Sequence, residues 1–145
     1  MMNNRGIAFV LSVSLYSISL LCPVFAFKEG DSSFLAGFVC LLFGAFSGHL
    51  AWFANPLYLA ALITLLMKKH YISVIFSVSA LVIASTTLSI KEIERNEAGD
   101  MTAVVGYGPG FHLWLYSMLL ALVAAVIGIL KPEASNLSQH STAEL

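Results

Sequence analysis

The chain has 145 residues, 59% of them hydrophobic and 10% charged, with a mean hydropathy of +0.87. A soluble domain carries about 25% charged and about 45–50% apolar residues, so this is the composition of a membrane protein. The net charge of -1 supplies no basic face for nucleic acid. The two cysteines, Cys22 and Cys40, both lie in apolar runs without a C-x-x-C pattern and support neither a disulfide framework nor a zinc site.

Four stretches free of Asp, Glu, Lys and Arg cover residues 6–27, 32–67, 70–90 and 101–130. About 20 apolar residues in a helix cross roughly 30 Å of hydrocarbon. The first stretch, "GIAFVLSVSLYSISLLCPVFAF", is therefore predicted to span the membrane over about 6–27. Arg5 followed by an apolar run also suits a signal peptide cleaved after Ala26. The run is longer than the usual apolar region of about 7–15 residues, however, and three more apolar stretches follow, which favours a retained helix.

The second stretch has a core of 34 residues from Phe34 to Met67. As one helix it would be about 51 Å long, too long for a single crossing. Either residues 34–48 form a short interfacial or re-entrant helix before a span at about 50–67, or they form a span of their own. The distribution of basic residues decides. With one crossing and the N-terminus inside, Arg5, Lys68, Lys69 and Lys131 are cytoplasmic. Lys28, Lys91 and Arg95 then lie outside among Glu29, Asp31, Glu92, Glu94, Glu97 and Asp100. With two crossings only Arg5, Lys91 and Arg95 stay inside. The single crossing is preferred, and Asn55-Pro56, one turn into it, is expected to kink it because proline removes a backbone donor.

The third span, about 71–90, is rich in hydroxyls: Ser73, Ser77, Ser79, Ser85, Thr86, Thr87 and Ser89. The fourth covers about 111–130, and the polar tail 134–145 is expected to be disordered. The predicted fold is thus an all-α membrane protein, a single bundle of four transmembrane helices within 1–133, with both termini cytoplasmic. Lipid offers no hydrophobic drive between helices, so small residues that permit close approach mark the contacts. Ala36, Cys40, Gly44 and Gly48 recur every four residues, as do Ser117, Ala121 and Ala125. These ladders are expected to pack the bundle or to bring a second copy of the chain against it.

Residues 104–108 read Val-Val-Gly-Tyr-Gly, one letter from the T-V-G-Y-G potassium filter whose carbonyls replace the hydration shell of the ion. A filter follows a short pore helix buried in protein. Here "KEIERNEAGDMTA" precedes the motif, a run of charges that belongs in water, and Val104 stands where the filter threonine would be. Pro109-Gly110 reads as the turn that starts the fourth helix. The channel reading is rejected.

The segment "SGHLAWFANP" places His49, Trp52 and Asn55 at i, i+3 and i+6, on one face if the helix starts early. In the four-span topology they share the outer side with Tyr107, His112 and Trp114. These six residues are the candidate binding cluster. Their plainer role is an aromatic belt with interfacial histidines. No carboxylate lies within a span, which argues against an ion-coupled pump. No G-x-S-x-G occurs, so no catalytic residue is assigned.

The segments "SGHLAWFANPLYLAALITLL" and "GYGPGFHLWLYSMLLAL" resemble a pattern in small uncharacterised bacterial inner-membrane proteins, where G-H-x-A-W-x-A-N-P opens one helix and G-Y-G-x-G-x-x-L-W another. The resemblance covers the second and fourth spans, implies a bacterial inner membrane, and carries no activity. The expected function is recognition without catalysis, in the bilayer or at its outer face. An immunity protein against a pore-forming bacteriocin and an accessory subunit of a membrane complex are its concrete forms. Expected partners are the lipid bilayer and another membrane protein or a second copy. No cofactor is expected; the alternative is a haem- or metal-binding protein using His49 and His112.

Overall fold

The structure is a computed structural model and describes residues 4–27, 36–46, 48–94 and 101–131. The expected tail at 134–145 lies outside the described residues. In chain order the elements are helix α1 (Asn4–Ser19), strand β1 (Phe25–Phe27), helix α2 (Gly37–Phe43), a 3-10 turn (Leu50–Phe53), helices α3 (Ala54–Leu66) and α4 (His70–Ser85), a second 3-10 turn (Thr86–Ser89), strands β2 (Glu92–Glu94) and β3 (Met101–Tyr107), and helix α5 (Pro109–Leu130).

The chain is mostly helical, and among the described residues two helical segments are long and apolar enough to cross a membrane, His70–Ser89 and Pro109–Leu130. Four had been expected. Helix α1 has 16 residues, about 24 Å of helix, and the apolar segment Leu50–Leu66 also falls short of the length for a full crossing. The first span ends early for a local reason. Pro23 has no N–H and disfavours helical geometry at Cys22, so the chain leaves α1 through a turn, Leu21 N–H to Ile18 O at 3.0 Å and Cys22 N–H to Ser19 O at 3.2 Å. Phe25–Phe27, expected as the last turn of that span, extend instead as β1.

That extension corrects the all-α expectation. β1, β3 and β2 form an antiparallel sheet in that order. Phe25 faces Tyr107 and Ala26 faces Gly106, an irregularity follows, and Phe27 faces Val104. On the other side Glu92, Ile93 and Glu94 face Ala103, Thr102 and Met101. The Val-Val-Gly-Tyr run therefore lies in the central strand of a sheet. β-branched Val104 and Val105 suit that setting.

The short helix expected at 34–48 is the seven-residue α2, about 10 Å long. It is anchored to the end of α1: Gly37 N–H donates to Cys22 O at 3.1 Å and Phe38 N–H to Leu20 O at 2.9 Å. A Cβ on Gly37 would meet Ser19 O at 2.5 Å. The kink expected at Pro56 takes the form of a change in helix type. The proline sits in the first turn of α3, and the tighter 3-10 turn Leu50–Phe53 precedes it.

Helix α1 packs along α5, α5 against α4, and α4 against α3. The interior is built on fully buried alanines: Ala54, Ala80, Ala84 and Ala121 with Tyr58 and Met118, then Ala124 and Ala125 with Ala8 and Leu65. Large apolar side chains point outward from every one of these helices, among them Leu11, Ile63, Ile75 and Leu119. At one end of the bundle Arg5 Nη1 donates to His70 Nε2 at 3.5 Å. His70 there lies against Gly128 of α5. Lys68 and Lys69 form the turn before His70, and Lys131 follows α5. The sheet, α2 and both 3-10 turns lie at the opposite end.

Candidate functional site

The sheet end contains a half-open cavity of about 750 Å³, within the roughly 300–1,000 Å³ typical of small-molecule sites. Its walls come from the last turn of α1, from α2, from the first 3-10 turn, from β2, and from the start of α5. Most lining groups are apolar, including Val39, Leu41, Phe43 and Ile93.

Asn55 holds the floor. It is buried, and its Oδ1 accepts from Tyr16 Oη of α1 at 3.1 Å and from Trp114 Nε1 of α5 at 2.9 Å. Its Nδ2 donates to Trp52 O at 3.1 Å. One amide thus ties three segments together through both its oxygen and its nitrogen. Below it, Ser12 Oγ donates to Ser117 O at 2.6 Å. Since Ser12 has a single proton, Tyr58 Oη is the donor in the 2.8 Å bond between the two hydroxyls. The Tyr16 and Tyr58 rings stack at 4.8 Å. Helices α1 and α3 therefore meet through hydroxyl and ring contacts.

Trp52 fixes the wall. Its Nε1 donates to Leu41 O at 2.8 Å, tying the 3-10 turn to α2. Its ring sits where a Cβ on Gly44 would lie, 2.7 Å from Cδ1. Gly44 thus acts as a seat for an indole. Gly48 departs from the expected packing ladder: it lies beyond the end of α2 at φ +70°, with open space around it, and serves a left-handed turn. Ser117, Ala121 and Ala125 are wholly buried inside the bundle, so that face of α5 is not available to a second copy.

The six residues of the expected cluster separate into two groups. His49, Trp52, Asn55 and Trp114 line the cavity. Tyr107 and His112 lie outside it. Tyr107 packs between Phe25 and Phe111, with its hydroxyl donating to Thr87 O at 3.4 Å. His112 is exposed, and its Nδ1 donates back to Gly108 O at 3.0 Å in the first turn of α5. His49 is exposed at the mouth of the cavity. Among the described residues no three His, Cys, Asp or Glu side chains gather as a metal site would require.

The glycines of "GYGPG" have a steric role. Gly108 N–H donates to Val24 O at 2.9 Å and Gly110 N–H to Pro23 O at 2.8 Å. A Cβ on Gly110 would lie 2.7 Å from Cys22 O and 2.8 Å from Pro23 O, and one on Gly108 would strike Pro23 O. The start of α5 crosses the α1–β1 connection at backbone contact, and only glycine permits it.

Three features of the site were not assigned from the sequence: the wall residue Cys40, the buried Thr87 whose Oγ1 has no partner among the described residues, and the Ser12–Tyr58 bond. Burial pushes the Cys40 thiol up to about 11, so at neutral pH it is an uncharged wall group and a poor nucleophile. The i, i+4 pair Ser12 and Tyr16 and the i, i+3 pair Asn55 and Tyr58 were the available signal, polar residues sharing a face within apolar helices. No family model matches the chain, and comparison with curated proteins and with solved structures finds no similar protein.

Proposed function

We propose that this is a multi-pass protein of the bacterial inner membrane in which α1, the segment Leu50–Leu66, α4 with its 3-10 turn, and α5 all cross the bilayer. Both termini are cytoplasmic, and the protein works by recognition at its sheet end, without catalysis. The observation that carries this reading is the grouping of four basic residues at the end of the bundle away from the cavity. Arg5, Lys68, Lys69 and Lys131 gather at one end, as cytoplasmic ends require, and the cavity opens at the other. Bare apolar side chains on all four helices also support burial of each in lipid, since soluble monomers rarely expose such contiguous surface. The shorter helices are accommodated by local thinning of the bilayer, at fractions of a kcal/mol per Å.

Reporter fusions test the topology. Those after Met67 and after Leu145 report cytoplasm, and one after Lys91 reports the outer side. An outer-side signal after Met67 overturns the arrangement. Recognition is tested by placing p-benzoylphenylalanine at position 49, at the cavity mouth, and at position 71, at the basic end. Position 49 gives a discrete photoadduct in cells and position 71 none; equal yields at the two positions refute a binding site at the sheet end.

A further inference from the structure

The cavity does not end at His49. A second pocket of about 300 Å³ adjoins it, sharing His49, Ala51, Ile90 and Glu92 and adding Lys91, Ser89 and Thr86. The two spaces differ in chemistry. The larger is walled by aliphatic and aromatic groups, and the smaller is bordered by a cation, a carboxylate and two hydroxyls. Lys91 and Glu92 are held in place by the sheet, Lys91 O accepting from Val104 N–H at 2.8 Å and Glu92 pairing with Ala103. The α2 wall of the larger space turns Phe38 and Leu42 outward, both exposed. In the orientation proposed above, those side chains meet the acyl chains of the outer leaflet.

We propose that the two spaces together bind one phospholipid with a zwitterionic head. An acyl chain occupies the larger cavity between α2 and Trp114, and the head lies over the smaller pocket, its phosphate toward Lys91 and its ammonium toward Glu92. Three features argue for this occupant. The apolar space lies directly behind a lipid-facing wall. Its polar end carries one charge of each sign, matching a head with both. The junction between the two lies at His49, at the level of the bilayer surface. The proposal rests on the membrane orientation above, and the reporter fusions read that orientation independently of whether the cavity is filled.

Cys40 lines the cavity and Cys22 does not, and both are free thiols, so the native protein carries a probe and a control. In mildly alkaline detergent, over an incubation long enough for the weakly nucleophilic Cys40 to react, lysophosphatidylethanolamine slows its alkylation by N-ethylmaleimide about tenfold and leaves Cys22 unchanged. Equal slowing of both, or of neither, overturns the proposal. Lysophosphatidylglycerol and palmitate protect less; if either protects equally, the role of Lys91 and Glu92 in reading the head is refuted. Val39→Trp, which fills the cavity, abolishes protection while Cys22 reacts at its former rate. A photoactivatable phosphatidylethanolamine with a diazirine in its chain, used on the unmodified protein in nanodiscs, gives the same answer without a variant. Crosslinks concentrated in residues 37–46 support the site, and crosslinks spread along α4 and α5 refute it.

Discussion

At the basic end α1 and α5 meet over Ala8, Ala124 and Ala125, with Leu65 of α3 closing the group and no polar side chain among them. At the sheet end α1 is tied to α3 and α5 by Asn55, Tyr16 and Trp114, and a cavity of about 750 Å³ lies beside those bonds. Alanine allows backbones to approach until little space is left, so the basic end is rigid by packing. Larger side chains held by hydrogen bonds at fixed distances keep the sheet end open. The same bundle is thus closed at its basic end and open at its sheet end.

The largest effect expected from breaking this contrast is at Gly110. Gly110→Ala drives a Cβ into two backbone carbonyls that cannot rotate away. It should cost about 3 kcal/mol, at the upper end for overpacking, and lower the Tm in detergent accordingly. A stable variant would show that the α5 crossing is looser than the geometry implies. Asn55→Leu should cost about 2 kcal/mol by leaving Tyr16 Oη and Trp114 Nε1 buried without their acceptor, and Trp114 fluorescence should shift with it. An unchanged spectrum would remove Asn55 from the floor of the cavity.

Volume added at the two ends sharpens the comparison further. Ala125→Leu should cost about 1–3 kcal/mol because that site has no free space. Val39→Ile should be close to neutral, since the added methyl enters the cavity. Similar losses at both positions in unfolding titrations would mean that the cavity collapses in solution. The smallest effect is a gain. Lys68 adopts φ 59° at the end of α3, where Lys69 N–H reaches back to Thr64 O at 2.9 Å, the bond of a Schellman end that favours glycine. Lys68→Gly should stabilise by about 1 kcal/mol. It should also weaken the inside signal of a fusion made after Lys69, since it removes one basic charge from that turn.

The composition, the apolar stretches and the clustering of basic residues near both termini and at positions 68–69 are local properties. They were enough to define a mostly helical chain, third and fourth segments long and apolar enough to cross a membrane, and a short helix ahead of the Asn55-Pro56 turn. The small-residue spacing at Ser117, Ala121 and Ala125 was legible because helix periodicity is local too. The sheet was not, since Phe25–Phe27 looks like the end of an apolar helix until Tyr107 and Val104 arrive from the far side of the chain to pair with it. The same holds for Gly108 and Gly110, whose pattern suggests an ion filter in isolation and a steric crossing beside Pro23. His49 and His112 looked alike in the sequence as polar residues opening helices. Only the folded chain puts one at the mouth of a cavity and turns the other back on its own helix. Periodicity reports which face of a segment is apolar, whereas a cavity and its floor arise where segments distant in the chain fail to close on one another, and that is decided by tertiary packing alone.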